Sequence, residues 1–289
     1  MALSENFAGA SVTTTRVANF IPEIWTDGVK AYLERKLVFE QCVDTSLNGA
    51  VKGRGDVFHI PKLSESSDAA KSAETLVTYA ANTHGEVQLT VDQHRYSASL
   101  VEDFAVLQAN PGMLEKEISG HAYALAKTYD SYLESLIEAS TTNSVALGND
   151  NVITAAEIRA GMKTLMESDV DTSECKMVVS PALYTAMLGI SDFIDASKVA
   201  NSQNPLYNGQ IGQLYGMPIL HSTVMGTSAS TGVEVGYIIH PTAISAARQL
   251  EPRTQAEYSV DFLGNKVVTD MAYGAVAVFE PRIYEFKNP

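Results

Sequence analysis

One long helical pattern, from Asn110 to Ala139, constrains this chain more than any other stretch. Apolar residues recur along it at steps of three and four, the period of one helix face. They are Leu114, Ile118, Ala122, Leu125, Tyr129, Leu133 and Leu136. Asn110 is suited to accept hydrogen bonds from the first free backbone N–H groups, and Pro111 suits the first helical position. Such a helix spans roughly 45 Å, which favours a structural spine over a core helix of a compact enzyme.

The charged residues of this spine helix are predicted to lie on its other faces. They are Glu115, Lys116, Glu117, Lys127, Asp130 and Glu134. Gly112 and Gly120 also lie inside the segment, although each costs about 1 kcal/mol relative to Ala. Close packing is the reason we expect for these two glycines.

Length and charge narrow the class of protein. A chain of 289 residues with 45% apolar residues has room for one large or two ordinary domains with real cores. The excess of 34 Asp and Glu over 20 Lys and Arg gives a formal net charge of −14, which disfavours electrostatic binding to nucleic acid or anionic membranes. No stretch has the length of a membrane span, and residues 1–15 lack the order of a secretory signal. We therefore expect cytoplasmic synthesis.

The N-terminal third combines an arm, a helix and a long insertion. Residues 1–20 are small and polar, which predicts an extended arm, and a helical pattern opened by Pro22 predicts a helix within residues 21–43. Two strands follow, Asp56–Pro61 and Glu86–Ala98.

The segment between these two strands, Lys62–Gly85, has few large apolar groups. Loops of this length are uncommon inside compact domains, and a two-stranded ribbon is marginal in water by itself. We therefore interpret residues 44–99 as a hairpin that projects from the body and is stabilised by another chain. A plain surface insertion is the alternative.

The second half of the chain alternates strands and helices. Leu100–Gln108 is predicted as a helical lead-in to the spine, and residues 140–152 as a linker at a domain boundary. Thr154 with Glu157 forms a capping box, and Ser180 with Pro181 starts a second helix. Short strands are predicted at Met177–Val179, Met217–Leu220, Gly236–Ile239 and Ala243–Ala246. This pattern predicts a mixed domain over residues 150–260, after which Val267–Phe286 is predicted to be a long strand beside the spine.

No catalytic, cofactor-binding or metal-binding residue is predicted. The six histidines lack zinc spacing, and the glycines of GQIGQLYG (209–216) fit neither a dinucleotide nor a phosphate loop, so tight turns explain them better. Cys42 and Cys175 are expected to be buried free thiols. Asp169, Asp171 and Glu174 are interpreted as a solvated acidic turn, and the RGD sequence at 54–56 as a turn before a strand. Each Asp and Glu named above, those of the spine included, lies among polar residues and has no evident reason for a shifted pKa.

The order of motifs resembles the major capsid proteins of tailed bacteriophages with the HK97 fold. The motifs are IPEIW (21–25), GDVFHIP (55–61), the spine helix, KMVVSPALY (176–184), GQIGQLYGMPILHS (209–222) and the apolar closing strand. Each motif is loose, and their order across nearly the whole chain carries the resemblance.

The resemblance implies an α+β capsid fold with six parts. These are an N-terminal arm (1–20), an N-terminal helix (21–43), an extended loop (44–99), a peripheral domain with the spine (100–149), an axial domain (150–260) and a return strand (261–289). It further implies a non-enzymatic protein of the virion that assembles in the host cytoplasm, as pentamers and hexamers, into an icosahedral shell around double-stranded DNA. A separate scaffolding protein is implied by the short segment before Phe20, and a portal protein by the family.

Two alternative functions stay open from the sequence. An encapsulin-like nanocompartment would have the same fold and a cargo enzyme in place of a genome. A cytoplasmic hydrolase with a lid at residues 62–85 would form a small oligomer with a pocket of shifted titratable groups.

Overall fold

The computed structural model describes most of the chain in seven main stretches. These are residues 37–49, 57–63, 84–103, 113–147, 153–189, 213–225 and 235–287, with 68, 70–74, 76–77 and 79 in addition. The predicted arm, residues 21–36 of the predicted first helix, and the spine start at Asn110, Pro111 and Gly112 lie outside them. Two compact units result. One contains His94–Ala126 and Leu250–Met271, and the other Leu37–Gln93, Lys127–Gln249 and Ala272–Pro289.

Three helices and eleven strands form within the described residues. The helices are α1 (Met113–Ser140), α2 (Ala155–Glu167) and α3 (Pro181–Met187). The first strands are β1 (Val57–Lys62), β2 (Gly85–Thr90), β3 (Gln93–Glu102), β4 (Asn143–Ala146) and β5 (Lys176–Val179). The later strands are β6 (Gln213–Leu214), β7 (Met217–His221), β8 (Gly236–Ile239), β9 (Ile244–Ser259), β10 (Gly264–Ala277) and β11 (Ile283–Lys287). None of the helices in these stretches is long and apolar enough to cross a membrane.

Helix α1 is the predicted spine. From Ile118 to Leu133 its apolar stripe is buried, as the helical period predicts. The Tyr129 ring meets the Tyr273 ring of β10 edge to face at 4.7 Å, and the backbone N–H of Ala275 donates to the Tyr132 hydroxyl at 3.2 Å. The expected packing of the spine on residues 273–279 is therefore confirmed at Tyr273 and Ala275.

A six-stranded mixed sheet, ordered β4-β11-β8-β5-β7-β6, forms the larger core. One face packs under α2 and α3 through a continuous apolar cluster that includes Ile158, Leu183 and Phe286. Gly161 of α2 lies so close to β11 that a Cβ there would be 2.9 Å from the Tyr284 ring. On the opposite face the buried Tyr237 of β8 reaches α1, where its hydroxyl donates to Glu134 at 3.5 Å. Buried on both faces, this sheet needs the nearly continuous apolar strands that the sequence shows.

Local signals at the starts of α2 and α3 are confirmed. Thr154 accepts a hydrogen bond from the Glu157 N–H at 3.3 Å, and the Glu157 carboxylate accepts from the Thr154 N–H at 2.7 Å. Ser180 accepts from the Leu183 N–H at 3.2 Å, with Pro181 in the first turn. Each cap satisfies backbone donors that the helix itself leaves free.

The single strand predicted over Glu86–Ala98 is wrong, because the chain bends at Val91 and Asp92. β2 pairs with β1 in a two-stranded ribbon, whereas β3 joins a separate sheet ordered β3-β10-β9. A Cβ on Gly274 of β10 would be 2.1 Å from the Thr90 carbonyl oxygen, so the two backbones touch at the bend. The predicted helical lead-in is also wrong at its start, since β3 continues to Glu102; residues 104–108 lie outside the described stretches.

Three further predictions need correction. The linker predicted at 140–152 contains β4, which pairs in parallel with β11. The strand predicted at Ala243–Ala246 is the start of the 16-residue β9. The strand predicted over Val267–Phe286 is two strands in different sheets, separated by a 3-10 turn at Glu280–Arg282 whose Pro281 has no N–H for a ladder.

The end of the predicted first helix is a 3-10 turn, Phe39–Cys42. The Val38 N–H donates to the Asp130 carboxylate of α1 at 3.0 Å, and the Phe39 N–H also donates to it. These two donors at the start of the turn are therefore satisfied by a side chain of α1. Asp130, predicted on a polar face, is therefore buried.

Candidate assembly surfaces

The residues that the sequence singled out for chemistry have structural roles where they are described. Cys42 and Cys175 are buried free thiols, as predicted. Burial raises the pKa of each thiol to about 12, so neither is a ready nucleophile. Gly216 has φ +88° in the turn before β7, which confirms the turn interpretation there. Residues 54–56, Gly209 and Gly212 lie outside the described residues.

Asp171 and Glu174 of the acidic turn, and the neighbouring His240, have partners within the subunit. Asp171 accepts from the Ser173 N–H at 2.9 Å, which lowers the pKa of Asp171. Glu174 pairs with His240 at 3.4 Å. Across the stretches that the structure describes, which include all six histidines, no group of three or more His, Cys, Asp and Glu side chains is arranged to hold a metal ion.

The base of the β1–β2 ribbon packs within its own subunit. The two strands pair antiparallel from Val57 opposite Thr90 to Lys62 opposite Gly85. Leu89 is fully buried against Ala247 of β9, with Phe58 and Ile60 of β1 among its partly buried apolar neighbours. At the last strand pair the ammonium of Lys62 lies 5.1 Å from the centre of the Phe279 ring. The paired strands β1 and β2, which we call the ribbon base, are therefore fixed to the body.

Beyond this base the ribbon presents large apolar side chains to solvent. These side chains are Leu63, Leu76, Val77 and Tyr79, and we call them the ribbon end. Leu76 is 95% exposed and Tyr79 is 92% exposed. Contact with another surface would remove these side chains from water, as exposed apolar surface at binding sites does.

A second exposed apolar group lies at the turn between β9 and β10. Val260, Phe262 and Leu263 are all exposed there, and we call them the hairpin tip. The turn is held in place from β3, because the Asp103 N–H donates to the Leu263 carbonyl at 2.9 Å and Tyr258 donates to the Asp103 carboxylate at 2.7 Å. Its apolar side chains are therefore presented by an ordered turn, which lowers the entropy lost on contact.

A shallow, mostly apolar groove of about 430 Å³ runs along the outer side of α2. Met162 and Met166 of α2 line it together with Tyr215 from the turn before β7, and Arg159, Lys163 and Glu167 form its charged rim. Lys163 and Glu167 pair at 3.5 Å. Flexible methionine side chains adapt to an incoming surface, so this groove is a third candidate contact.

Exposed apolar groups at three separate places suit a protein that contacts several neighbours. A sequence model of the phage capsid protein family matches residues 88–283, which is more than half of the chain. The chain belongs to the phage capsid protein family. No curated protein sequence matches it. The capsid resemblance expected from the order of motifs is thereby confirmed.

Solved structures show that this capsid protein has the HK97-like fold. A structure titled Mycobacterium phage Che8 matches with a TM-score of 0.72 at 20% identity, over 87% of this chain and 91% of that chain. The capsid structure of the cyanophage P-SCSP1u matches with a TM-score of 0.71 at 14% identity, over 88% of both chains. A virus-like particle from Pyrococcus furiosus matches more weakly, with a TM-score of 0.58 at 10% identity, over 92% and 98%.

Family membership assigns a structural role to the surfaces described above. Copies of the capsid protein assemble into the shell of the virion, and the family match favours this role over the encapsulin-like alternative. The sequence predicted that the ribbon end is a contact with another chain, but the hairpin tip was not predicted. The signal for the hairpin tip was present in the sequence as three large apolar residues around the polar Asp261 in a turn, where apolar residues are unusual.

Proposed function

We propose that this capsid protein builds an icosahedral shell of pentamers and hexamers around double-stranded DNA, and that the ribbon end is bound by a neighbouring copy. The arrangement of the ribbon carries the proposal, because its base is packed within the subunit while its far end exposes Leu76 and Tyr79 almost completely. An apolar end held out on an ordered base gains stability when a second copy covers it.

The proposed parts keep the boundaries expected from the resemblance, except that β4 and β11 go with the axial strands β5, β7 and β8, with which they share the six-stranded sheet. The arm (1–20), the N-terminal helix (21–43) and the extended loop (44–99) reach neighbouring copies. The peripheral domain (100–149, with the return strand 261–289) and the axial domain (150–260) form the shell wall, with the axial domain around the symmetry axes.

The ribbon test removes its far end and keeps its base. Because Lys62 pairs with Gly85, replacing residues 63–84 with Asn-Gly closes β1 and β2 through a two-residue turn of a favoured type. Deleting residues 64–83 tests the same point with the native Leu63 and His84 in the turn. Each variant is expected to keep the circular dichroism spectrum and melting temperature of the isolated subunit and to form no shells in negative-stain electron microscopy. Normal shells from a folded deletion variant would refute the proposal.

Substitutions separate apolar contact from loop length. Changing Leu63, Leu76, Val77 and Tyr79 together to Ser is expected to abolish shells, since it removes the apolar area and leaves the chain length unchanged. The matched control changes the exposed polar residues Asp68, Lys71 and Glu74 of the same segment to Ala, and is expected to assemble normally. Equal assembly by both variants would show that the apolar character of the ribbon end is irrelevant.

The contents of purified particles test the second part of the proposal. With a net charge of −14, the protein is expected to enclose DNA without reading its sequence and to bind free DNA negligibly at physiological salt. A separate scaffolding protein, a portal protein and assembly in the host cytoplasm complete the proposal. Particles from infected cells that hold a cargo enzyme and no genome would favour the nanocompartment instead.

A further inference from the structure

The C-terminal half of α1 carries acidic residues into its buried side. Asp130, Glu134 and Glu138 recur every four residues and so follow one line along the helix. Asp130 is only 3% exposed and Glu134 only 4% exposed, whereas Glu138 is half-buried. Carboxylates are rarely buried unless a cation or several hydrogen-bond donors compensate their charge.

Asp130 lies against the 3-10 turn at Phe39–Cys42. One carboxylate oxygen accepts the Val38 N–H at 3.0 Å, while Oδ1 is buried without a hydrogen-bond partner in the described residues. Glu40 of the same turn adds a second negative charge nearby, and its own partner is Arg248 at 2.8 Å. The Val38 and Phe39 N–H groups both donate to the Asp130 carboxylate, but no cation is among the groups that act on it in the described part of the chain.

Glu134 lies against the six-stranded sheet. Its carboxylate accepts from the Tyr237 hydroxyl at 3.5 Å. The residue paired with Tyr237 on β11 is another buried acid, Glu285, whose carboxylate is 3.4 Å from the half-exposed Lys287 ammonium. Glu134 thus faces a hydroxyl and two further acids, Glu138 and Glu285.

Acidic groups outnumber basic groups along this contact within the described part of the chain. The titratable and charged groups around the two carboxyls are Glu40, Cys42, Tyr129, Glu138, Tyr237 and Glu285, with Lys176, Arg248 and Lys287 one contact further away. Five carboxyls, counting Asp130 and Glu134, thus share this region with three cations, of which Arg248 pairs with Glu40 and Lys287 with Glu285. The Lys176 ammonium donates to the Gln41 carbonyl oxygen.

We propose that Asp130 and Glu134 form a proton clamp, which holds α1 against the 3-10 turn and the six-stranded sheet when these carboxyls are protonated and loosens when they ionise. A protonated carboxyl is neutral, so it can be buried without a counter-charge, and it can donate as well as accept hydrogen bonds. Ionisation of both would leave two buried charges that are stabilised by hydrogen bonds alone, without a paired cation.

Burial shifts the pKa of both carboxyls upward, which is the direction that the proton clamp requires. Desolvation raises the pKa of Asp130 to about 7, with Glu40 adding to the rise. Desolvation also raises the pKa of Glu134 to about 7, and Glu138 adds to it. The ordinary values are 3.8 and 4.5, so the native state binds protons that the unfolded chain has released between about pH 4 and pH 7. Stability is then highest at the acidic side of this window and falls as pH rises through it.

The first test follows urea unfolding of the purified full-length protein between about pH 5 and about pH 9, comparing wild type with Asp130→Asn and Glu134→Gln. Each amide keeps the size and accepting oxygen of the protonated acid. Between about pH 4 and pH 7, the unfolding equilibrium constant of the wild type is expected to rise by up to about a hundredfold per pH unit. In each variant, which has one of the two carboxyls, the rise is expected to be about tenfold per pH unit. The control Glu117→Gln lies on the same helix and should leave the slope unchanged.

Infrared spectroscopy of the wild-type protein gives an independent reading if a variant fails to fold. The carboxylic-acid C=O band is expected to be present near about pH 6 and to disappear by about pH 9. In folded variants, Asp130→Asn and Glu134→Gln should each reduce this band, and Glu117→Gln should leave it unchanged. A wild-type spectrum without the band near pH 6, or variants with the wild-type slope, would overturn the proton clamp.

Discussion

Replacing Gly274 by Ala is the sharpest test of how the ribbon joins the subunit. A Cβ on Gly274 would be 2.1 Å from the Thr90 carbonyl oxygen and 2.9 Å from the Val91 Cα. Real Cβ contacts do not fall below 3.0 Å, and both obstructing atoms are backbone, so β10 or the β2–β3 bend has to move by roughly 1 Å. The backbone of Gly274 is not left-handed, so the whole effect is steric.

The loss in the free energy of unfolding has two sources, the steric overlap itself and the displacement of the residues beside Thr90. Overpacking in a tight contact costs about 1–3 kcal/mol, and displacement of Thr90 also disturbs the fully buried Leu89 beside it. We expect Gly274→Ala to lower the free energy of unfolding by about 3 kcal/mol. For a chain of this size that corresponds to a loss of roughly 6–12 °C in melting temperature.

Gly120→Ala is the matched control for this experiment. Gly120 is exposed in α1, and a Cβ there would meet no heavy atom of the described residues within 4 Å, so the close packing expected for this glycine is not found among them. The same chemical change is expected to stabilise the isolated subunit by about 1 kcal/mol. Both values can be measured by thermal and urea unfolding followed by circular dichroism. A Gly274→Ala variant as stable as wild type would refute the close approach of β10 to the bend.

Three further substitutions test separate parts of the structure. Leu125→Asp places a charge in the buried stripe of α1 and should cost more than 4 kcal/mol of folding stability, giving insoluble or unfolded protein. Glu117→Lys should fold normally by circular dichroism and at most impair assembly. If both variants fold and assemble normally, the spine assignment is contradicted. Thr154→Ala removes the capping box of α2 and should cost about 1 kcal/mol in urea unfolding, so an unchanged midpoint would count against it. Phe262→Ser at the hairpin tip should leave subunit stability within about 0.5 kcal/mol and reduce shell yield in electron microscopy; an unchanged yield would remove the tip from the assembly surfaces.

Features that depend on neighbouring residues in the chain could be predicted from the sequence. The capping box of Thr154 and Glu157 is complete within four residues, and the burial of Leu125 and Tyr129 follows from helical periodicity. Gly236–Ile239 was predicted with the bounds that the structure has, because a short apolar run in a sheet covered on both faces needs no context. The order of such features along the chain also predicted the capsid family.

Features that depend on a distant partner needed the tertiary structure. Gly274, more than 180 residues further along the chain, contacts the backbone where β2 ends and β3 has not yet begun. Asp130 and Glu134 were predicted on the charged faces of α1, away from its apolar stripe, yet the 3-10 turn and Tyr237 cover them.

The sequence by itself thus determined where α2 and α3 start, that the apolar stripe of the spine from Ile118 to Leu133 is buried and to which family the chain belongs, since helix caps, periodicity and motif order are local properties. Only the tertiary structure decided which strands share a sheet and which carboxyls of α1 lose water. Strand pairing and desolvation are set by atoms far away in the chain, and no pattern within one segment records them.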